Sequence, residues 1–112
     1  MGQLGCGEIM KPIILKLARD DLKEIRDRLS EFGVNPPRKF RESFEKFCSR
    51  VEGNSYIYSQ YEVDSRYRRA VIEYEYLVFY QVDESSGRVK IYRVLHGKRD
   101  IVTLFASEWE ND

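Results

Sequence analysis

The segment YLVFYQVDESSGRVKIYRVLHGKRDI, which runs from Tyr76 to Ile101, decides the fold of this chain. Its first part, Tyr76 to Val82, is nearly all apolar, as expected for a central strand that is covered on both faces. The sequence DESSG at residues 83–87 has the composition of a hairpin turn. Arg88 to Leu95 then supplies the returning strand. The segment therefore predicts two neighbouring antiparallel strands of a sheet.

Before this hairpin, the sequence predicts one short strand and two helices. Lys11 to Leu17 reads as the strand, in which Pro12 is tolerated if the strand lies at a sheet edge. The helices are indicated by apolar side chains at helical spacing, which places them on one face of each helix. These stripes are Leu22, Ile25, Leu29 and Phe32 in the first helix, and Phe40, Phe44, Phe47, Cys48 and Val51 in the second.

The ends of the two helices are also marked in the sequence. Asp20 and Asp21 are expected in the first turn of the first helix, where the helix dipole favours anions. Gly33 can adopt the left-handed conformation that ends this helix. Asn35 is the expected N-cap of the second helix, with Pro36 as its first residue. The short link between the helices implies an antiparallel helical hairpin.

Three further segments complete the pattern. Ser55 to Tyr67 is rich in tyrosine and is either a loop or a weak strand. Arg68 to Glu73 reads as a strand, and a tight turn around Tyr74-Glu75 leads into the central hairpin. Ile101 to Trp109 forms a short amphipathic tail, and its apolar side consists of Ile101, Leu104 and Phe105.

The element order β-α-α-β-β-β predicts an α+β domain. In this arrangement an N-terminal strand is followed by an antiparallel helical hairpin, which packs on one face of a mainly antiparallel sheet. A length of 112 residues suits one domain with one modest core. Residues 1–9 are rich in glycine and lack periodicity, so we expect a flexible leader followed by a single domain over residues 10–112.

Composition argues against several classes of protein. The sequence contains no apolar run of roughly 18 residues, as a membrane-spanning helix requires, and its N-terminus does not resemble a signal peptide. We therefore expect a cytoplasmic protein. Cys6 and Cys48 are too few for a disulfide framework, and no Cys/His set has metal-ligand spacing, so neither a metal nor another cofactor is expected. Cys48 lies on an apolar stripe and is interpreted as a core residue rather than a nucleophile.

Charge is balanced in total but segregated along the chain. The 19 basic and 19 acidic side chains give a net charge of zero. Arg66, Arg68 and Arg69 are close together, and only basic charges occur between Ser85 and Arg99. A basic stripe on strands fits an anionic partner, either nucleic acid or an acidic protein segment. A solvated charged face explains the same pattern, so charge alone leaves both interpretations open.

The only histidine, His96, raises the question of catalysis. Metal-free cleavage of RNA needs a base, an acid and cations, for which Arg99, His96 and Tyr92 are the candidates. A period of two places four side chains of the last strand on one face: Val89, Ile91, Arg93 and Leu95. Arg93 is then either a structural arginine, paired with Glu73, or a residue that shapes a concave site.

The sequence resembles the RelE/ParE superfamily of toxins from type II toxin–antitoxin systems. The resemblance extends from about Lys11 to Phe105. It rests on ARDDLKEI, residues 18–25, in the first helix and on the segment from Tyr76 to Ile101 quoted above. It implies a small toxin that is neutralised by an antitoxin, whose C-terminal part wraps around the toxin.

Three positions distinguish the branches of this superfamily. RelE-like members, which cleave mRNA on the ribosome, carry an arginine after the tyrosine that corresponds to Tyr76, whereas this chain has Leu77. Arg99 matches a second arginine of their site, but Phe105 stands where they have a tyrosine. A phenylalanine has no hydroxyl to move a proton. The resemblance therefore favours the ParE-like, or plasmid stabilisation, branch, whose members inhibit DNA gyrase and are not known as nucleases.

These observations predict a ParE-like toxin that binds its cognate antitoxin and DNA gyrase, with an enzymatic activity less favoured. The alternatives are a RelE-like ribosome-dependent mRNA endoribonuclease and a non-toxic relative that only binds the antitoxin. The basic strands are expected to bind the partner through Arg66, Arg68, Arg69, Arg93, Lys98 and Arg99. The groove between the helices and the sheet edge should receive apolar side chains of the antitoxin. His96 either fixes the turn before Gly97 and contacts a partner, or is catalytic.

Overall fold

The computed structural model describes residues 9–99 and 101–109 of the chain. Within these ranges the element order matches the predicted β-α-α-β-β-β pattern and adds a 3₁₀ turn and a C-terminal helix. The elements are β1 (Lys11–Ile14), α1 (Lys16–Ser30), α2 (Asn35–Gly53), β2 (Arg68–Ile72), the 3₁₀ turn (Glu73–Glu75), β3 (Tyr76–Asp83), β4 (Arg88–His96) and α3 (Ile101–Trp109). Apart from Ile9, the predicted leader lies outside the described residues. None of the helices in these ranges combines the length and apolar character that a bilayer crossing requires.

The four strands form one sheet in the order β1-β4-β3-β2. β1 runs parallel to β4, whereas β3 is antiparallel to both of its neighbours. This topology confirms the predicted α+β fold with a mainly antiparallel sheet. β3 is a central strand, as its continuous apolar sequence predicted, because Val78, Phe79 and Tyr80 are all 0% exposed.

The two long helices cover one face of the sheet and form the larger core with it. The predicted stripe of α2 is confirmed: Phe40, Phe44, Phe47 and Val51 are buried, and Cys48 packs against them. The rings of Phe47 and Tyr80 meet edge to face with their centroids 5.4 Å apart. The Tyr80 hydroxyl donates a hydrogen bond to the Ser55 carbonyl at 3.0 Å, and burial raises the pKa of Tyr80 to about 12. This contact joins the residues after α2 to the central strand.

The change from strand to helix comes earlier than predicted, at Leu15. Its N–H donates to the Ile91 carbonyl at 3.0 Å, while its own carbonyl accepts from the Arg19 N–H at 2.9 Å. The predicted strand to Leu17 is therefore too long, because α1 has already begun at Lys16. For the same reason the predicted place of Asp20 and Asp21 in the first helical turn is wrong, since both lie one turn further along.

The link between α1 and α2 differs from the prediction at two positions. Phe32 lies beyond the end of α1, and its side chain is 74% exposed rather than part of the apolar stripe. Asn35 is already the first residue of α2, and Val34 precedes it without a side-chain capping bond. Gly33 has a positive φ of 113°, which agrees with its predicted role in ending the first helix.

The second face of the sheet is covered too, although the prediction placed helices on one face only. α3 and the tyrosine-rich loop before β2 form a second core there with β3 and β4: Tyr61, Tyr67, Leu77, Phe79, Leu95, Ile101 and Phe105. The ring centroid of Phe105 lies 4.9 Å from that of Phe79 and 5.2 Å from that of Tyr61. The amphipathic side predicted for the tail is confirmed, and its function in the fold is to close this second layer.

A β-bulge in β4 changes which face its last side chains occupy. Tyr92 is the extra residue, because its neighbours in β4 are opposite consecutive residues of β3. Beyond it, Val94 packs in the core beneath the helices, whereas Leu95 packs in the second layer. The predicted grouping of Val89, Ile91, Arg93 and Leu95 on one face is therefore wrong, since the bulge interrupts the period of two.

The turn between β2 and β3 confirms the predicted tight turn and holds two residues in the left-handed conformation. Tyr74 has a φ of 63° and Glu75 a φ of 62°, and the Tyr76 N–H closes the turn on the Glu73 carbonyl. Turns of this kind favour Asn-Gly, because a Cβ atom makes the left-handed region unfavourable. This turn therefore stores backbone strain at one end of the sheet.

Replacing Glu75 with glycine is expected to raise the free energy of unfolding by about 1 kcal/mol, because glycine adopts this conformation without strain. Denaturant-induced unfolding measures the change. Glu73→Gly is the matched control in the same turn, and it should lower stability by about 0.5–1 kcal/mol, since Glu73 has no positive φ. A Glu75→Gly variant that is no more stable than the wild type would contradict the inference that this turn is strained.

Candidate functional site

A groove of about 850 Å³ runs between α1 and α2 on the outer side of the helical hairpin. Its apolar lining consists of Leu22, Val34, Pro37, Phe40 and Phe44. Every charged side chain that lines it among the described residues is a cation: Arg19, Lys23, Arg26 and Arg41. We refer to this feature as the helical groove. An apolar floor with a basic rim is suited to an amphipathic helix that carries acidic residues beside its apolar stripe.

The helical period explains how the chain forms this groove. In α1, Arg19, Leu22 and Arg26 are three or four residues apart, so that cations and an apolar residue face the same side. In α2, Pro37, Phe40 and Phe44 have the same spacing. Phe40 and Phe44 are buried in the core and also line the groove. The floor of the groove is thus part of the packed structure rather than a flexible surface.

The cations of the groove were missed by the sequence prediction, which assigned partner binding to the strands. Part of the signal was present, because Arg19 and Arg26 flank Leu22 at helical spacing and Lys23 is adjacent to it. They were overlooked because a charged helix face is usually only solvated. The structure shows an apolar groove between the two helices, whereas antitoxin binding between the helices and the sheet edge stays a prediction.

A second recess lies on the other side of α1, where this helix meets the end of β4. It has a volume of about 270 Å³ and is lined by Asp21, Glu24, Ile25, Arg28, Tyr76, Val94, Leu95, His96 and Arg99. We refer to it as the polar cleft. The cleft brings together two of the three nuclease candidates, Arg99 and His96.

His96 is held in place by the turn that follows β4. Its Nδ1 atom accepts a hydrogen bond from the Lys98 N–H at 3.2 Å, and its carbonyl accepts one from the Arg99 N–H at 3.0 Å. Its ring also meets the Tyr76 ring edge to face, with the centroids 5.0 Å apart. Because a backbone N–H can only donate, Nδ1 carries the lone pair and the neutral ring bears its proton on Nε2. The contact with the turn agrees with the interpretation of His96 as a residue that fixes it.

Arg93 lies in the interior, where it joins β4 to α1. Its Nε and Nη2 atoms donate to the two carboxylate oxygens of Asp21 at 2.8 and 3.0 Å, and the Val94 N–H donates to the same carboxylate at 2.9 Å. The predicted partner, Glu73, is wrong, because Asp21 occupies that role. Only 6% of Arg93 is exposed, so its placement on the partner-binding surface is not supported. The interpretation as a structural arginine fits these contacts.

The arginines before and within β2 are held by local contacts. Arg66 binds Asp64 through Nε at 3.0 Å, and hydrogen bonds from this arginine hold the pKa of Asp64 below its ordinary value. Arg68 donates to the Tyr58 carbonyl at 2.6 Å and lies over a tyrosine ring, whereas the neighbouring Arg69 is exposed. Their role as partner-binding residues stays a prediction, as does that of Lys98 and Arg99.

Tyr92 lies apart from the other nuclease candidates. Its hydroxyl donates to Gln81 at 3.3 Å, and its ring meets Tyr67 edge to face at 5.0 Å. These contacts belong to the second layer of the sheet, whereas His96 and Arg99 line the polar cleft beside α1. Tyr92 is therefore not among the described residues that line the polar cleft with His96 and Arg99.

Cys48 lies in a setting that suppresses reactivity. Burial, together with the nearby carboxylates of Glu45 and Glu52, raises the pKa of its thiol to about 11. At neutral pH the group is therefore almost entirely protonated, and the thiolate needed for nucleophilic attack is scarce. This agrees with the interpretation of Cys48 as a core residue.

The alkylation rate of Cys48 by iodoacetamide should consequently rise with a midpoint near pH 11. At pH 7.5 it should be roughly three-hundredfold slower than that of a cysteine in an unstructured peptide, because the thiolate fraction falls tenfold per pH unit below the pKa. The measurement uses a Cys6→Ser variant so that Cys48 is the only thiol. A midpoint near the ordinary value of about 8.5 would contradict the shift.

Comparison with known proteins places this fold in a family. The sequence matches the profile of the family described as "ParE toxin of type II toxin-antitoxin system, parDE" over residues 13–101. The fold is similar to a structure described as "Chromosomal ParDE TA system from P. aeruginosa", with a TM-score of 0.57 and 15% sequence identity over 80% of this chain and 98% of that one. No match to a curated protein was found. Because the family match spans most of the domain, the chain belongs to the ParE toxin family of type II toxin–antitoxin systems.

Proposed function

We propose that this protein is a cytoplasmic toxin that inhibits DNA gyrase and is neutralised when an acidic amphipathic helix of its cognate antitoxin fills the helical groove. Family membership supports the toxin and its antitoxin partner. The observation that carries the neutralisation mechanism is the composition of the groove, in which an apolar floor is bordered by cations alone among the described residues. A helix is the natural occupant, because an apolar stripe flanked by carboxylates complements both features at once.

Gyrase as the target is an expectation from the ParE-like resemblance, and the environment of Phe105 supports it over RNA cleavage. This residue stands where RelE-like members carry a site tyrosine, and here it is 5% exposed on the inner side of α3. Its ring packs against Phe79, Tyr61 and Tyr67. A buried phenyl ring neither transfers a proton nor contacts a phosphodiester.

The RelE-like endoribonuclease is kept as a second candidate because Arg99 and His96 share the polar cleft. A cation beside an imidazole supplies two of the elements that phosphodiester cleavage requires. The third candidate, Tyr92, contacts the second layer instead. This candidate therefore depends on a reaction that uses Arg99 and His96 without Tyr92.

Two assays on the purified toxin separate these functions. We expect the toxin to inhibit DNA supercoiling by gyrase, to lose this effect when its antitoxin is added, and to leave mRNA intact in a translating extract. Cleavage of mRNA that is lost in Arg99→Ala would overturn the gyrase proposal in favour of RelE-like chemistry, and the activity of His96→Ala would show whether the imidazole takes part. A protein that binds its antitoxin but is inactive in both assays would be the non-toxic relative.

A further inference from the structure

The polar cleft is separated from the helical groove by α1 alone. Arg19 and Arg26 of this helix line the groove, whereas Glu24 and Arg28 line the cleft. A helix with its side chains is about 10–12 Å wide, which is the length of three or four residues of extended chain. A peptide in the groove therefore needs only a short extended flank to cross α1 and reach the cleft.

The walls of the cleft are held in place before any ligand binds. The Gly97 N–H donates to the Glu75 carbonyl at 2.9 Å, which fixes the end of β4 against the strained turn of β2 and β3. A Cβ atom on Gly97 would lie 3.2 Å from this carbonyl oxygen, so the close approach favours glycine. Together with the bonds from Lys98 and Arg99 to His96, this contact orients the side chains that a ligand would meet. Such preorganisation lowers the entropic cost of binding.

The cleft presents donors for one anionic group. Arg28 and Arg99 carry guanidinium groups, and His96 offers a protonated Nε2 because its Nδ1 atom accepts from the turn. Arg28 is only loosely engaged with Glu24: the Nη2–Oε2 distance is 3.9 Å, and the two side chains are 63% and 66% exposed. An exposed pair of this kind rearranges at little cost when a better partner arrives.

The charge on the walls favours a carboxylate of a peptide over a nucleic acid. Glu24 lines the cleft beside the cations, and the buried Asp21 lines it as well. A chain of phosphates would meet these anions with unfavourable like-charge contacts, which the mixed charges of a peptide avoid. The volume of about 270 Å³ also suits a single side chain rather than a base with its phosphates.

From these features we propose that the cleft binds an Asp or Glu side chain of the antitoxin, in an extended flank of the helix that fills the groove. This inference rests on the proposed function, because it places a second anchor of the same partner about four residues beyond its helix. The carboxylate accepts hydrogen bonds from Arg99, His96 and Arg28. The antitoxin thereby contacts α1 on the side of the groove and on the side of the cleft.

A double-mutant cycle with the toxin and its cognate antitoxin tests this anchor. Each acidic residue of the antitoxin is changed in turn to its amide, and binding is measured by calorimetry to the wild-type toxin and to Arg99→Ala, His96→Gln, Arg26→Ala and Lys46→Ala. One acidic residue outside the groove-binding helix should weaken wild-type binding roughly tenfold and have no further effect in Arg99→Ala or His96→Gln. Lys46→Ala is the control, because this exposed residue lies outside both recesses.

The outcomes separate the two proposals. If no acidic residue is coupled to Arg99 or His96 while Arg26→Ala still weakens binding, the proposed carboxylate anchor in the polar cleft is wrong. The proposal that the antitoxin helix binds in the helical groove then still stands. If the wild-type toxin does not bind the antitoxin at all, the proposed function fails, and the anchor fails with it. Coupling of one acidic residue to both Arg26 and Arg99 would also overturn the anchor, because a single side chain does not reach both sides of α1.

Discussion

An Asp21→Ala variant should lose about 3–5 kcal/mol of unfolding free energy, because it removes one member of a buried ion pair. Asp21 accepts three hydrogen bonds, two from the Arg93 guanidinium and one from the Val94 N–H. The side chains of the pair are only 7% and 8% exposed, so both charges are largely shielded from water. In the variant the Arg93 cation stays buried but loses the Asp21 carboxylate, and the Val94 N–H loses the same acceptor.

Two further variants distinguish the pair from a general effect of substitution in α1. Asp20→Ala, the neighbouring residue, should change stability by about 0.5 kcal/mol or less, because its side chain is 62% exposed in its pair with Lys16. Asp21→Leu combined with Arg93→Met should recover much of the loss, since apolar residues of similar volume often replace a buried ion pair at little cost. Urea unfolding with circular dichroism measures all three.

An Asp21→Ala variant that loses less than about 1 kcal/mol would contradict the importance of the pair. The same conclusion would be contradicted if the double variant, Asp21→Leu with Arg93→Met, were as unstable as Asp21→Ala alone. In that case the loss would arise from the packing of α1 rather than from the charge left on Arg93.

The parts of the fold that sequence predicts well are those governed by repeated local patterns. The strand from Tyr76 to Val82 is an almost unbroken apolar run, and the phenylalanine stripe of α2 repeats the helical period over several turns. Such a signal persists even when one position is misread. The α+β class follows from these elements, because few arrangements bury both stripes. The strand order β1-β4-β3-β2, with its parallel β1–β4 pair, was not predicted.

The errors arise where one residue interrupts a pattern or where two distant residues meet. The bulge at Tyr92 moves Leu95 to the other face, and nothing in the alternating sequence marks the extra residue. Asp20 and Asp21 are chemically identical neighbours, yet only Asp21 faces Arg93 across the interior. Which aspartate is buried depends on where α1 begins, and that is fixed by backbone hydrogen bonds of Leu15 rather than by residue type.

The candidate site shows the same limit in another form. The sequence drew attention to strand arginines because they are close together in the chain, but Arg93 is in the core and Arg66 binds Asp64. The cations of the helical groove are spread over α1 and α2, and they form a surface only when the helices pack side by side. The basic side of α1 can be read from the sequence, but the groove that it forms with α2 is visible only after the pairing of the helices is known.

Replacing Leu22 with aspartate should weaken antitoxin binding by at least a hundredfold. Leu22 belongs to the apolar floor of the groove and is only half-buried, so it is available to a partner. The aspartate would remove an apolar contact at the centre of the interface and repel the acidic flank of the incoming helix. Central apolar contacts commonly contribute about 2 kcal/mol or more, and the unfavourable charge adds to this loss. Calorimetry with the cognate antitoxin measures the dissociation constant.

Leu17→Asp provides the matched control, because it is the same substitution in the same helix. Leu17 is 41% exposed and is absent from the lining of the groove, so its replacement should leave antitoxin affinity within about twofold. Arg26→Glu, on the rim, should mainly slow association and make it less sensitive to salt, because exposed charges act on encounter more than on the bound state. Equal affinities of Leu22→Asp and Leu17→Asp would show that the antitoxin binds elsewhere. A hundredfold loss confined to Leu22→Asp, with the unfolding free energies of both variants similar, would locate the antitoxin helix between α1 and α2.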